Sequence, residues 1–386
     1  MTARAEDLLE DSARPTAIQR EVLFVCLARG LGGSTRSLAT VLEGLPSSFR
    51  RVVCTPSGGP FLRSLRERNL VEVHIDIPNR GRRLTGKLSR FAAMFKVASW
   101  VRSHRGAISA MHANGPEELN LVAPVARLYG VPVVVWSHAR DVSPSMRRLR
   151  PLLRLLLRGV DVRWASVSGH ARDVLVEAGL CLPDAVEIIP NPIDPEDVVG
   201  ATTTGRDDVV IGYLGSDAPY KGFLLLPDVI EALGYEGVRW LIFSNERASR
   251  GNDAWTRLRA LPAERATVVG KVADVGGAYA QCDIVFLPSL EESFGRVAAE
   301  AMLNGVPVVA SDLAPVREVL GRDEAGLFFP PGDVIAASRR LRELIDDPSL
   351  RVAMGEAGRR RARQFEPRSV VRALTRLYSG DVSVAD

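Results

Sequence analysis

Short apolar runs alternate with helical patterns along the first half of the chain. The runs are rich in Val and Ile and end at Gly, Pro or polar residues, as buried parallel strands do. They are EVLFVCLA (21–28), RVVCTP (51–56), VEVHID (71–76), AISAMHA (107–113), VPVVVWSH (131–138) and WASVS (164–168). Helical spacing of apolar residues lies between them, for example at 34–45 and 117–130. The alternation predicts βαβ units and an α/β fold with a doubly wound sheet.

A segment rich in Pro, Gly, Thr and Asp, residues 188–208, interrupts this pattern and is typical of a linker. A second set of apolar runs follows it: VVIGYLG (209–215), VRWLIFS (238–244), ATVVGKV (266–272), CDIVFLPS (282–289), VPVVAS (306–311) and GLFFP (326–330). Two similar α/β domains are therefore expected, which suits a length of 386 residues. Because ligands bind at the carboxyl ends of parallel strands, the predicted site is the cleft between the domains.

Composition narrows the class of protein. A net charge of +4 is too small to indicate a nucleic-acid partner. The four cysteines are far apart and lack metal-ligand spacing, so we expect reduced thiols, no metal site and a cytoplasmic protein. The polar first 20 residues and the absence of a long apolar run predict neither a secretory signal nor a membrane span.

A glycine loop, ARGLGGSTRS (28–37), follows the first apolar run. The dinucleotide fingerprint G-x-G-x-x-G would begin at Gly30 and pass Gly32, but Thr35 stands where the third glycine is needed. A nicotinamide dehydrogenase is therefore disfavoured. The loop still predicts a strand-to-helix turn where backbone can approach a ligand, and a tight turn without a ligand is the alternative.

The segment LPSLEESFGRVAAEAMLNGVPVVAS (287–311) carries the strongest chemical signal. It predicts a strand, an acidic loop and then a helix that begins at Gly295. Free backbone amides at a helix start form an anion site, here those of Phe294, Gly295, Arg296 and Val297. Glu300 lies one turn deeper, where its carboxylate can accept hydrogen bonds from sugar hydroxyls. The alternative is an ordinary helix with acidic residues near its start.

Glu292 and Glu300, with seven residues between them and Phe-Gly soon after the first, resemble the E-x7-E motif of family 4 retaining glycosyltransferases. Other segments resemble the same family in order along residues 22–378: GGSTRSLATVLEGL, VPVVVWSHARD, VSGHARDVLVEAGLCLPDAVEIIPNPID, VVGKVADVGGAYAQCDIVFLPS and FEPRSVVRALTRLY. The resemblance implies the GT-B fold, in which two Rossmann-like doubly wound domains face a central cleft.

The domains expected on this basis are an acceptor-side domain and a nucleotide-sugar-binding domain. Their predicted bounds are a flexible tail at 1–20, the N-terminal domain at 21–195, a linker at 196–208, the C-terminal domain at 209–364, and a helix with a tail at 365–386 that crosses back to the N-terminal domain.

The resemblance also implies roles for individual residues. Glu300 would bind the ribose hydroxyls, Glu292 the hydroxyls of the transferred sugar, and His138 would lie near the sugar and phosphate. Taken alone, His138 would more often be a structural histidine. The other donor-binding positions, which would contact diphosphate, sugar or base, are Gly32, Gly33, Ser216, Lys271, Val272, Phe294, Gly295, Arg296 and Val297.

The stretch YLGSDAPYKG (213–222) resembles the family's G-R-L-x-x-x-K-G segment, whose two cations grip the diphosphate. Lys221 matches the lysine, but Ser216 stands at the arginine position. A cation there matters because the leaving group gains negative charge as the glycosidic bond breaks. Arg296 and Arg36 are the candidates for compensation, although a solvated helix face is the preferred interpretation of Arg36.

Two segments, 79–97 and 145–160, mix basic and apolar residues, as do helices on anionic membranes. For 145–160 a core-packed helix is favoured, because leucines lie on most of its sides. The 79–97 segment is the better candidate for peripheral contact with the inner membrane face and with an anionic or lipid-linked acceptor.

The sequence thus predicts a retaining glycosyltransferase with Lys221, Glu292 and His138 as catalytic residues. It would move a hexose-type sugar from a nucleoside-diphosphate sugar, UDP or GDP being favoured, to an acceptor hydroxyl of a natural product, glycolipid or polysaccharide. No metal and no cofactor besides this co-substrate is expected. The alternative is a GT-B sugar-nucleotide-binding protein or epimerase with little turnover, which Ser216 keeps open. The base, sugar, acceptor and oligomeric state have no readable signature.

Overall fold

The structure, a computed structural model, describes residues 19–77, 85–194, 208–234, 236–244, 253–270, 272, 274–322 and 324–380. Most of the predicted N-terminal tail and linker, part of 79–97, Lys271 and the last six residues lie outside these ranges.

The first half forms a parallel sheet of seven strands in the order β3-β2-β1-β4-β5-β6-β7. The strands are β1 (Arg20–Val25), β2 (Phe49–Thr55), β3 (Val73–Asp76), β4 (Ile108–Ala113), β5 (Val133–Ser137), β6 (Val162–Ser166) and β7 (Val186–Ile188). The helices between them are α1 (Gly33–Gly44), α2 (Pro60–Glu67), α3 (Thr85–His104), α4 (Leu119–Tyr129), α5 (Pro144–Leu157) and α6 (Gly169–Glu177).

The second half forms a parallel sheet of six strands in the order β10-β9-β8-β11-β12-β13. Its strands are β8 (Val209–Leu214), β9 (Val238–Phe243), β10 (Ala266–Val268), β11 (Ile284–Leu287), β12 (Val308–Ser311) and β13 (Gly326–Phe329). The helices are α7 (Leu226–Leu233), α8 (Asp253–Ala260), α9 (Val275–Tyr279), α10 (Arg296–Asn304), α11 (Ala314–Leu320), α12 (Val334–Asp346), α13 (Pro348–Ala362) and α14 (Pro367–Ser379).

Both sheets reverse their strand order once, and each reversal brings the loops after two neighbouring strands together. In the first sheet the switch lies between β1 and β4, and in the second between β8 and β11. The crevice at such a point, outside the carboxyl ends of the strands, is where open α/β sheets bind ligands. The prediction of an α/β fold with two doubly wound sheets is confirmed.

The last helix, α14, packs against α1 and β4 of the first sheet. Its Tyr378 is buried, and the hydroxyl lies 2.9 Å from Nδ1 of the equally buried His112 on β4. The N-terminal half is thus completed by residues from the C-terminal end of the chain.

Helix α5 packs on the core with one face, as interpreted for 145–160, and its Leu149, Leu156 and Leu157 lie partly buried against that core. Met146 and Leu153 are buried, but Leu152 and Leu155 lie exposed among the arginines. The helix therefore has an apolar face toward the core and a solvent face on which these two leucines lie among arginines.

Candidate active site

Lys221 and Glu292 form an ion pair at the switch point of the second sheet. Lys221 follows β8 and Glu292 follows β11, and these strands are neighbours, so the loops after them meet. Lys221 Nζ donates to Glu292 Oε1 at 2.6 Å, and Ser289 Oγ donates to the same oxygen at 2.9 Å. The Glu292 side chain is 7% exposed and that of Lys221 is 24% exposed. The protein shields most of the Glu292 side chain, while the Lys221 side chain stays partly accessible to solvent.

The glycine after Lys221 has a steric reason to be there. Gly222 has φ of 68°, in the left-handed region, and a Cβ at this position would lie 1.9 Å from the carbonyl oxygen of Pro288. Any side chain would push the turn that carries Lys221 away from the end of β11. The close approach of these two backbones is what lets Lys221 reach Glu292.

Helix α10 begins beside this pair. Gly295 precedes it with φ of 94°, a conformation that glycine adopts without strain. The first amides of a helix have no acceptor within the helix, so the start of α10 has the field of an anion site. Phe294 is buried, and its ring meets that of Phe365 edge-on with centroids 5.3 Å apart. Phe294 therefore anchors the loop through its side chain.

Glu300, one turn into α10, is buried and accepts hydrogen bonds from three residues. Arg296 Nε donates to its Oε1 at 2.7 Å, and Arg36 of the other domain donates to the same oxygen at 3.2 Å. The hydroxyl of Tyr279 donates to Oε2 at 2.8 Å. Burial and the negative charge of Glu300 raise the pKa of Tyr279, which keeps that hydroxyl protonated.

The contacts of Glu300 also show where Arg296 and Arg36 lie, which are the two candidates for the cation absent at Ser216. Besides its bond to Glu300, Arg296 donates to Ser37 Oγ at 3.1 Å and to the Pro192 carbonyl at 3.0 Å. Both arginines are therefore engaged with Glu300 in this structure, and the preferred interpretation of Arg36 as part of a solvated face does not describe it. Their shared contacts tie α1 to α10 across the cleft.

The glycine loop lies opposite α10. A Cβ on Gly32 would meet nothing within 4 Å, and one on Gly33 would meet Arg296 Cδ at 3.9 Å. The Gly32 amide donates to the Thr35 hydroxyl at 2.8 Å, which fixes the turn into α1. Neither glycine is crowded by the described residues, and the one neighbour of Gly33 at this distance belongs to the first residue of α10.

His138 follows the carboxyl end of β5, inside the first sheet, and lies against Trp136. Both of its ring nitrogens, and Oδ1 of Asn191, are buried without a hydrogen-bond partner among the described residues. Burial, with the nearby His112 and Arg296, lowers the pKa of His138 to about 3, opposed by Asn191. The ring is therefore neutral at physiological pH, with polar atoms that a ligand in the cleft could satisfy.

The remaining predicted donor positions are less informative. The Ser216 carbonyl accepts a hydrogen bond from the Tyr213 hydroxyl at 2.7 Å, so the serine joins the turn after β8 through its backbone. Val272 is half-buried and packs against the core that the two domains share. Lys271 lies outside the described residues. Over the described ranges, acidic, Cys and His side chains form no group of three that could hold a metal ion.

The structure gathers the predicted residues into two groups. Lys221 and Glu292 form one group, and Gly33, Arg296 and Glu300 form the other. Sequence reasoning missed the residues that support these groups. They are Ser289 and Tyr279, together with Tyr220, whose ring lies 5.6 Å from Lys221 Nζ, and Arg140, which stacks on that ring. Tyr220 precedes Lys221 and Arg140 lies two residues after His138, so proximity to a motif was the available signal. Tyr279 had no such signal, because its contact with α10 depends on the packing of α9.

Family models match both halves of the chain. Residues 31–197 match Glycosyltransferase Family 4, and residues 201–361 match Glycosyl transferases group 1. Phosphatidyl-myo-inositol mannosyltransferase of Mycobacterium leprae (strain TN) is 31% identical over 294 residues, which cover 73% of this chain and 76% of that protein. The chain belongs to family 4 of the glycosyltransferases, as the resemblance implied, and it is a glycosyltransferase.

Solved structures share the whole architecture. Anabaena HepE in complex with UDP and glucose superposes with a TM-score of 0.76 at 20% identity, covering 94% of this chain and 100% of that chain. A glycosyltransferase from Rickettsia africae ESF-5 gives a TM-score of 0.78 at 17% identity, covering 95% and 100%. These likenesses establish the GT-B fold for this chain.

Proposed function

We propose that this protein is a retaining glycosyltransferase that moves a hexose-type sugar from a nucleoside-diphosphate sugar to an acceptor hydroxyl. The observation that carries the proposal is the Lys221–Glu292 pair beside the start of α10, with Glu300 one turn deeper. A cation and free helix amides suit a diphosphate, and the carboxylates suit hydroxyl groups. All of these groups lie on one domain and can recognise one ligand along its length.

In this mechanism Lys221 and the amides at the start of α10 stabilise the leaving diphosphate. Glu292 accepts hydrogen bonds from sugar hydroxyls, and Glu300 accepts them from the ribose. The acceptor oxygen forms its bond to the anomeric carbon on the face from which the diphosphate leaves, and its proton passes to a diphosphate oxygen. Preorganised charge at the leaving group then supplies most of the rate enhancement, and no enzymic nucleophile is required.

The neutral form of His138 fits this scheme. A neutral imidazole has one donor and one acceptor nitrogen, so it can bond a sugar hydroxyl or a phosphate oxygen without adding a charge. Its unpartnered nitrogens support a place in the donor site. No metal ion and no further cofactor is part of the proposal.

For the donor nucleotide we propose UDP or GDP. Support for UDP comes from the solved structure of HepE, which contains UDP and glucose. For the acceptor we propose a natural product, a glycolipid or a polysaccharide. The mycobacterial relative is named for a phosphatidyl-myo-inositol acceptor, which supports a lipid.

A lipid acceptor also agrees with the surface of α3. Phe91 and Phe95, one helical turn apart, are 65% and 76% exposed. None of the helices in the described ranges is long and apolar enough to cross a bilayer. We propose that these two rings touch the surface of an anionic membrane at the inner face, where they would bring the acceptor domain to a lipid-borne substrate.

The test is to incubate purified protein with a panel of nucleoside-diphosphate hexoses and to measure release of the nucleoside diphosphate and transfer. Glu292→Gln is expected to lower kcat about 100-fold while the nucleoside diphosphate still binds, because its role is at the sugar. Glu300→Gln is expected to weaken nucleotide binding about tenfold. Glu356→Gln, on the exposed face of α13, is the control and should behave as the wild type.

The alternative, a sugar-nucleotide-binding protein or epimerase, makes a different prediction. Ser216 favours it, because one of the two cations expected at the diphosphate is absent from that position. Tight nucleotide binding without transfer to any acceptor would support the alternative. Equal and negligible effects of Glu292→Gln and Glu300→Gln would show that the site lies elsewhere.

A further inference from the structure

Arg140 crosses the cleft and stacks on Tyr220 of the other domain. Its guanidinium carbon lies 3.7 Å from the centroid of the Tyr220 ring, and its terminal NH1 lies 3.6 Å from Oε2 of Glu291. NH1 is buried and has no hydrogen-bond partner among the described residues. The contact is thus a cation–π stack combined with a long ion pair, and protein surrounds part of the guanidinium.

Tyr220 connects this stack to the loop that carries Glu292. Its carbonyl accepts hydrogen bonds from the amides of Leu290 at 2.8 Å and Glu291 at 3.3 Å. Lys221, the next residue, holds its Nζ 5.6 Å from the same ring. A movement of Tyr220 therefore moves both partners of the Lys221–Glu292 pair.

Arg140 is connected to the opposite side of the site. It lies two residues after His138, in the segment that leaves β5. His138 follows a strand of the first sheet and Lys221 follows a strand of the second, so neither sheet alone fixes the distance between them. The stack is a direct contact between the segment that holds His138 and the turn that holds Lys221.

We propose that Arg140 and Tyr220 form an inter-domain clasp that aligns His138 with the Lys221–Glu292 pair. The clasp rests on the proposed function, and it makes both members positioning residues. A planar guanidinium can lie flat on an aromatic ring, whereas a lysine ammonium is a point charge with a full hydration shell. The phenol hydroxyl takes no part in the stack, so the ring alone carries the contact.

The experiment compares Arg140→Ala, Tyr220→Ala and the double variant, with Tyr220→Phe as the conservative replacement. Arg172→Ala is the matched control, because Arg172 is on the same domain, is also 36% exposed and pairs with its neighbour Asp173. For each protein, kcat and the KM for the donor, the Kd of the nucleoside diphosphate and the unfolding temperature are measured.

Each single alanine variant is expected to lower kcat roughly tenfold, and the double variant no further, since either change opens the clasp. The Kd should stay at the wild-type value, because the proposed diphosphate ligands Lys221 and the α10 amides belong to one domain. Tyr220→Phe and Arg172→Ala should match the wild type. Independent, multiplicative losses would overturn the clasp, as would damage by Tyr220→Phe equal to that by Tyr220→Ala.

A second readout separates the clasp from the proposed function. Small-angle X-ray scattering with and without nucleoside diphosphate reports how far the domains close. The wild type is expected to be more compact than Arg140→Ala both with and without nucleotide, whether or not an acceptor is turned over, because the stack forms without a ligand. If the wild type transfers no sugar but this difference is found, the proposed function fails and the clasp stands. If transfer occurs and the difference is absent, the clasp fails alone.

Discussion

In the proposed donor site, Glu300 would serve two purposes, because it already holds protein donors and would also bind the ribose. A carboxylate has about four acceptor positions, and three donors already occupy part of this capacity: Arg296, Arg36 and Tyr279. Two ribose hydroxyls cannot be added without displacing a donor. Arg36 is the partner to displace, because its bond is the longest of the three and its side chain is 33% exposed against 10% for Arg296.

Replacing Arg36 tests this competition directly. We expect Arg36→Ala to leave the Kd of the nucleoside diphosphate unchanged or to tighten it a few-fold, because the ribose then meets a less occupied carboxylate. Isothermal titration calorimetry measures the effect. Arg296→Ala is the comparison, and it should lower the unfolding temperature, because the Arg296 side chain is only 10% exposed and also bonds Ser37 and Pro192. A tenfold weaker Kd for Arg36→Ala would instead mean that Arg36 supplies the cation absent at Ser216.

At the scale of elements, helix ends make the contacts between the domains. Helix α6 begins at Gly169, whose amide donates to Oε2 of Glu318 on α11 at 2.8 Å, so a carboxylate of one domain lies at a helix start of the other. The adjacent Ser168 hydroxyl donates to the Ser293 carbonyl at 2.5 Å, next to Glu292. The loop that carries Glu292 is therefore held from both sides of the cleft.

Helix α3 carries the prediction for the membrane. We expect the double variant Phe91→Ser with Phe95→Ser to bind vesicles of anionic lipid at least tenfold more weakly than the wild type, because two exposed rings lose their insertion into the interface. Co-sedimentation with vesicles measures the partition. Leu182→Ser is the matched control, since Leu182 is 75% exposed and lies after α6. Equal partition of all three proteins would remove α3 from the proposed membrane contact.

Features set by residues close together in the chain can be predicted from the sequence, whereas contacts between distant residues cannot. The strands follow from local apolar runs, and the pairing of Lys221 with Glu292 follows once β8 and β11 are known to be neighbours. The exposure of Leu152 and Leu155 was missed, because the width of the covered face depends on the neighbouring elements and cannot be read from the helix sequence alone. The bond between Arg36 and Glu300 spans 264 positions and two domains. No periodicity specifies such a contact.

At the scale of the whole molecule, a buried histidine contact also joins the two halves of the chain. His112, on β4, touches Tyr378 of α14 and lies among aromatic rings that include Phe24 and Trp136. Burial lowers the pKa of His112 to about 4, opposed by its hydrogen bond with Asn114. Protonation would place a charge in the contact that holds the C-terminal helix on the N-terminal sheet.

The free energy of unfolding should therefore fall in mild acid. A histidine with a depressed folded pKa stabilises the native state above its unfolded pKa of 6.5, and the contribution of His112 is lost as the pH falls from 6.5 to about 4. The slope is at most about 1.4 kcal/mol per pH unit for each such histidine. Urea unfolding across this window measures it, and His112→Gln should reduce the slope because glutamine does not titrate. An unchanged slope in His112→Gln would show that other groups control acid unfolding and that the contact with α14 tolerates the charge.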